Sequence, residues 1–84
     1  MYPAPHTVYV LRSESQPGRY YTGITSNLER RLAAHNEGMS KHTVSGRPWR
    51  AVVTIEFSDT AAAAAFEKYL KSGSGRLFAQ RHFR

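Results

Sequence analysis

Two tyrosines, Tyr9 in Thr7-Val8-Tyr9 and Tyr21 in Tyr21-Thr22-Gly23, precede an arginine, Arg31, a histidine four residues later, His35, and an isolated acid, Glu67. Phenol, guanidinium, imidazole and carboxylate together could hydrolyse a phosphodiester. That reaction needs an acceptor for the proton of an attacking water, positive charge for the phosphoryl oxygens, and help for the departing oxygen. On type alone the same residues also fit plainer roles. Two tyrosines on neighbouring strands make a cross-strand aromatic pair, and an arginine can lay its stem along a helix flank. His35 could be a partly buried histidine bonded to a backbone carbonyl, and Glu67 could pair with Lys71 four residues on.

The elements that must position these groups can be read from pattern. Thr7 to Arg12 is extended and β-branched, a Pro17-Gly18 turn follows, and Arg19 to Gly23 is aromatic and extended. This predicts a hairpin carrying Tyr9 and Tyr21. Ser26-Asn27-Leu28-Glu29 has capping-box spacing, which predicts a helix through Asn36 with Gly38 as its stop. A loop rich in Gly, Ser and Lys runs to Pro48. Arg50 to Phe57 reads as a third strand, and Ser58-Asp59-Thr60 caps a second helix that ends near Gly73. The five alanines Ala61 to Ala65 open that helix rather than forming a low-complexity tract. A short last helix spans Gly75 to His82. The order β-β-α-β-α-α predicts an α+β fold in which a small three-stranded antiparallel sheet is flanked by helices. No repeat or linker divides the chain, so residues 1–84 read as one domain.

Helical spacing decides which charged residues can meet. At about 100° per residue, Leu28 and Leu32 define the buried stripe of the first helix, with Arg31 and His35 together on its flank and Arg30 nearly opposite. In the second helix Ala62, Ala63, Phe66, Tyr69 and Leu70 form the apolar side. Glu67 then sits at its edge while Lys68 faces water.

Composition narrows the class. Eighty-four residues without cysteine exclude disulfides and thiolate zinc sites, and the chain is expected in a reducing cytoplasm. Met1-Tyr2-Pro3-Ala4-Pro5-His6 lacks the basic start and apolar stretch of a signal peptide, and no apolar run approaches the ~20 residues of a membrane span. Twelve Lys and Arg against six Asp and Glu give a formal charge of +6. Such a balance suits a soluble protein and favours polyanionic partners, nucleic acid above all. Trp49 and Phe57 flank the third-strand pattern and are expected in the core.

In order and spacing these residues resemble the GIY-YIG nuclease domain, as a small stand-alone bacterial member, over nearly the whole chain. The family's first motif is Gly-Ile-Tyr, of which Thr7-Val8-Tyr9 keeps the tyrosine but not the glycine. Its second is matched by Tyr21-Thr22-Gly23. Family spacing falls on Arg31 and His35, the pair that helical spacing puts on one flank. The family's metal-binding glutamate lies in the helix after the third strand, where Glu67 is the only acid inside the predicted helix. His42 stands where other members have a tyrosine or histidine. Two departures are visible: no asparagine follows Asn36, and Ile24 replaces a lysine of the excision-repair branch.

The resemblance implies that Glu67 holds one Mg²⁺ or Mn²⁺, which takes one or two carboxylates and otherwise waters and substrate phosphate. It implies that Tyr9 acts as general base or orients the water, with Tyr21 bonded to it or to the phosphate. A phenol titrates near ~10, so Tyr9 needs cations such as Arg31 and the metal to lower that value. Arg31 would bind the scissile phosphate and His35 would orient Tyr9 or relay its proton, with His42 as a further candidate. Lys41, Arg47 and Arg50 around the long loop, and Lys68, Lys71, Arg76, Arg81 and Arg84 later, would contact phosphates without reading sequence. The implied partner is nucleic acid, DNA ahead of RNA, with target choice left to its structure or to a partner protein. The implied setting is DNA repair or nucleic-acid turnover. Two other classes fit the same residues: a catalytically silent nucleic-acid-binding module, and a subunit that delivers this fold to a larger repair complex.

Overall fold

A strand covered on both faces and paired on both edges needs apolar residues at successive positions, and Val8, Tyr9, Val10 and Leu11 supply them, each at most 1% exposed. They form the middle of β1 (Thr7–Ser13) in the computed structural model, which describes residues 4–84. Met1, Tyr2 and Pro3, part of the stretch read above for a signal peptide, lie outside the described residues. The remaining elements are β2 (Tyr20–Thr25), α1 (Leu28–Asn36), a 3₁₀ turn at Val44–Gly46, β3 (Trp49–Glu56), α2 (Thr60–Leu70) and α3 (Gly73–His82). The three strands are antiparallel in the order β2-β1-β3, so the expected α+β fold and element order stand.

Alternation along β1 builds two cores. Val8 and Val10 pack with Ala63, Leu70 and Ala79 of α2 and α3, joined by Tyr20, Ile24, Val53, Phe57, Phe66, Phe78 and Phe83. Tyr9 and Leu11 point to the other face, where Trp49, Tyr21, Leu28, Leu32 and Ala51 meet them under α1. Burying each large side chain contributes on the order of 1.5–3 kcal/mol. The site residues Tyr9 and Tyr21 therefore belong to the α1 face.

Several boundaries differ from the sequence reading. Asn27, not Ser26, caps α1, its side chain accepting from the Arg30 amide at 3.0 Å, so the four-residue capping box is displaced by one. Gly38 does terminate the helix region, at φ +79°, a conformation in which glycine carries no Cβ penalty. β3 starts at Trp49 and stops at Glu56, leaving Phe57 beyond it, and one irregularity in its pairing falls opposite Val10 and Leu11. α2 ends at Leu70, and Ser72 caps α3, which starts at Gly73 rather than Gly75. Two faces were misread. His35, placed on a flank, is the buried residue of α1, while Leu28 and Leu32 are only partly covered. Ala62 and Tyr69, placed on the apolar side of α2, are exposed. Both helices lie across a narrow sheet, so each is covered along a stripe thinner than hydrophobicity alone suggests.

Candidate active site

Tyr9 leaves the middle of β1 on the α1 face, directly opposite Gly23 of β2. A Cβ built at residue 23 would lie 2.3 Å from the Tyr9 phenolic oxygen, so only glycine lets this ring lie across its neighbouring strand. The glycine of the second motif is thus a seat for the tyrosine of the first. Tyr21, two residues earlier on β2, stands beside it with ring centroids 6.4 Å apart.

α1 then brings two polar side chains to the Tyr9 oxygen. His35 Nε2 lies 3.1 Å from it and Arg31 Nε 3.4 Å, the two being one helical turn apart. The His35 ring also packs edge-on to Tyr21 at 5.0 Å. Its other nitrogen, Nδ1, lies 2.7 Å from Thr43 Oγ1, and the Thr43 hydroxyl is oriented toward the Ser40 carbonyl at 3.5 Å.

This chain fixes the proton positions. A Thr43 hydroxyl that donates to Ser40 accepts from His35 Nδ1–H, which leaves Nε2 with its lone pair facing Tyr9. Arg31 donates to the Tyr9 oxygen, so the phenolic proton has His35 Nε2 as its acceptor. Among the described residues no buried side-chain polar atom lacks a partner, which this arrangement satisfies. Tyr9 is therefore a phenol donating to a neutral imidazole.

The electrostatics agree, and they correct one expectation. Burial raises the Tyr9 pKa above its ordinary value, although the hydrogen bond and charge of Arg31 pull the other way, as does the charge of Lys71. The cations of the resting protein do not lower it. Burial, followed by the charge of Arg31, lowers the His35 pKa, which keeps the ring neutral. Arg31 holds its proton more firmly than usual, first through its bond to Tyr9. It is itself exposed, so its remaining donors can meet a ligand.

Glu67 is on α2, across the β2 edge from this cluster. Its carboxylate is paired with Lys71 Nζ at 2.6 Å, and that ammonium lies 6.0 Å from the centre of the Tyr21 ring. Glu67 is thus on the same side of the molecule as Tyr21 but makes no hydrogen bond to either phenol. Its side chain is 18% exposed. Among the described residues no group of three or more His, Cys, Asp or Glu could hold a metal ion. What Glu67 offers a cation is one carboxylate, already matched by an ammonium.

The other expected residues divide. The His42 side chain is exposed, and what His42 contributes is its backbone carbonyl, which accepts from Arg19 Nη2 at 2.9 Å. The inward position belongs to its neighbour Thr43, fully buried and missed in the sequence because a lone threonine in a loop carries no periodic signal. Lys41 is exposed near this rim, while Arg47 spends one donor on the Val44 carbonyl at 2.8 Å. Arg50 leaves the loop group. It lies opposite Arg12, which lies opposite Tyr20, so it belongs with the α2 and α3 face of the sheet. The loop itself is anchored by two bonds between Asn36 and Trp49 and by the Trp49 indole N–H donating to the Thr43 carbonyl at 2.7 Å.

Residues 5–81 match the family model described as the GIY-YIG catalytic domain. The chain belongs to the GIY-YIG family. It is 40% identical over 70 residues to a UPF0213 protein of Natronomonas pharaonis, covering 82% of this chain and 80% of that one. The solution NMR structure of a UPF0213 protein from Bacillus halodurans superposes with a TM-score of 0.56 at 33% identity, covering 92% of this chain and 81% of the other. A structure-specific endonuclease subunit, SLX1, of Chaetomium globosum is 39% identical over 71 residues, covering 77% of this chain. This GIY-YIG domain spans only 22% of that relative's length, and 18% and 25% of two further fungal and yeast SLX1 proteins. Among the described residues no helix is long and apolar enough to cross a membrane.

Proposed function

We propose that this GIY-YIG domain is a divalent-metal-dependent endonuclease that hydrolyses nucleic-acid phosphodiesters, in DNA repair or nucleic-acid turnover. The observation that carries the reading is the chain Arg31–Tyr9–His35–Thr43, because it gives a buried phenol both a cation and a proton acceptor. An aromatic core pair would need neither.

The residues suggest how the proton moves. As the attacking water gives its proton to the Tyr9 oxygen, the phenolic proton passes to His35 Nε2, so Tyr9 never stands as a full phenolate against its raised pKa. Thr43 keeps Nε2 unprotonated beforehand. Arg31 retains one bond to Tyr9 and uses its other donors on the phosphate, where charge builds. Tyr21 closes the cluster and offers its hydroxyl to the same phosphate.

A single carboxylate fits Mg²⁺ or Mn²⁺ when substrate oxygens and waters complete the coordination. Glu67 would hold the ion, after releasing Lys71. The ion would supply Lewis-acid stabilisation of the phosphoryl oxygens. The word subunit in the SLX1 names supports a protein partner that selects the target, and nucleic acid, DNA ahead of RNA, is the substrate class.

The Glu67–Lys71 pair favours a second reading, a nucleic-acid-binding module without turnover, since a surface pair of this kind needs no metal. Cleavage of linear, branched and single-stranded DNA and RNA, with Mg²⁺ or Mn²⁺ and with chelator, separates the two. Metal-dependent cutting by the native chain, absent in a folded Glu67→Gln variant, supports the enzyme. Binding by both without cutting supports the module.

A further inference from the structure

The face of β2 that looks away from β1 carries a second concavity. An open groove of about 490 Å³ runs along Tyr20-Tyr21-Thr22, walled by Lys71, Arg76 and Arg84, and no Asp or Glu lines it. β2 is an edge strand, so peptide groups on this side have no strand partner. Among the described residues neither Arg76 nor Arg84 is ion-paired. Arg19 also borders the groove, but its guanidinium is turned to the long loop, bonded to Ser45 Oγ at 2.7 Å and to the His42 carbonyl. Three cations are therefore available to an anion that enters.

Two of the lining residues join this groove to the candidate active site. Tyr21 packs against His35, and Lys71 pairs with Glu67 while standing over Tyr21. At the far end the Arg84 guanidinium lies over the Tyr20 ring, 4.3 Å from its centre. A planar cation seated on an aromatic ring leaves its outer face open for a nucleobase.

We propose that this groove binds a single-stranded stretch of nucleic acid adjoining the phosphodiester to be cut, with Lys71 and Arg76 on successive phosphates and a base stacked on Arg84. The inference rests on the nuclease reading for its direction and on the groove for its ligand. A duplex presents a cylinder about as wide as two strands and their grooves, and it cannot enter a cleft of this volume. A single strand can. Strandedness rather than sequence is what such a site selects, since phosphate contacts and stacking carry little base information.

The test is fluorescence anisotropy of a labelled single strand and of a blunt duplex, in DNA and RNA forms, across a salt series. The native chain is compared with Arg76→Ala/Arg84→Ala, and folding is checked by thermal melting. The double variant is expected to lower single-strand affinity at least tenfold and to flatten its salt slope by about 1.4, at roughly 0.7 per phosphate contact. Duplex affinity should change by less than twofold. An unchanged single-strand slope, or equal losses for duplex and single strand, overturns the proposal. If the double variant melts early, Arg76→Glu alone, which leaves the Tyr20 stack in place, must weaken the single strand selectively or the groove is not its site. A chain that never cuts yet loses single-strand binding in these variants keeps the groove and discards the nuclease. One that cuts with metal while the variants bind normally does the reverse.

Discussion

The Tyr9 hydroxyl occupies the space that a side chain at residue 23 would fill, a built Cβ there lying 2.3 Å from its oxygen. Gly23→Ala must move the ring, because the strand pairing holds both backbones in place. Overpacking of this kind costs about 1–3 kcal/mol, and a domain of this size loses about 4–8 °C for each kcal/mol. Cutting should fall further than stability explains, since the displaced oxygen leaves His35 and Arg31 together. Thermal melting beside single-turnover cleavage measures both. A variant that melts and cuts like the native chain would mean that the ring has another seat.

Thr43 is expected to matter through His35. Thr43→Val leaves the buried Nδ1–H without an acceptor, a loss of about 1–3 kcal/mol, and frees the imidazole to take the tautomer that donates to Tyr9. Cleavage by Thr43→Val should drop at least tenfold at unchanged nucleic-acid affinity, and Thr43→Ser should restore it. Equal defects in the two variants would assign Thr43 to packing alone.

Histidine titration gives the pH dependence. Because burial and Arg31 lower the His35 pKa, the unfolded chain binds its proton first, near the ordinary value of about 6.5. Between that value and the folded pKa the unfolded state carries more protons, so stability falls as pH falls through this window and is complete above it. Cleavage should show an acid limb with its midpoint below about 6.5, set by protonation of Nε2. An NMR titration of the His35 ring checks the value, and a midpoint above 6.5 would contradict the hydrogen-bonded chain described here.

Lys41 lies at the rim of the loop that positions Thr43, with its ammonium exposed. Lys41→Ala should weaken duplex binding and flatten its salt slope by about 0.9, the value for one lost phosphate contact. An unchanged slope would remove the loop from the footprint.

Much of this was legible in the sequence because the motifs are tied to periodic elements. A hairpin, a capped helix and a β-rich segment place Tyr9, Tyr21, Arg31 and His35 within a few ångströms whatever the details of the loops. Two kinds of information were not. The depth of His35 depends on how α1 sits on the sheet, and a helix of nine residues with only two leucines gives no strong stripe from which to read it. The role of Thr43 depends on the course of the loop between α1 and β3, which is fixed by bonds from Asn36, Arg19 and Trp49 that no local pattern announces. His42 was chosen by position in the chain, and its backbone rather than its ring is what the fold uses. The raised pKa of Tyr9 follows from the burial of β1 between two strands and two layers, which spacing alone does not reveal.

The most direct measurement is the pair of rates and affinities for Tyr9→Phe, with cutting followed under single-turnover conditions on whichever substrate the native chain cleaves best. Removing one oxygen should leave the affinity for nucleic acid within about twofold, while cleavage falls by the 10²–10⁴-fold typical of a lost acid–base group. A Tyr9→Phe chain that cuts at the native rate would contradict a proton path through Tyr9 and His35, and with it the central reading of this site.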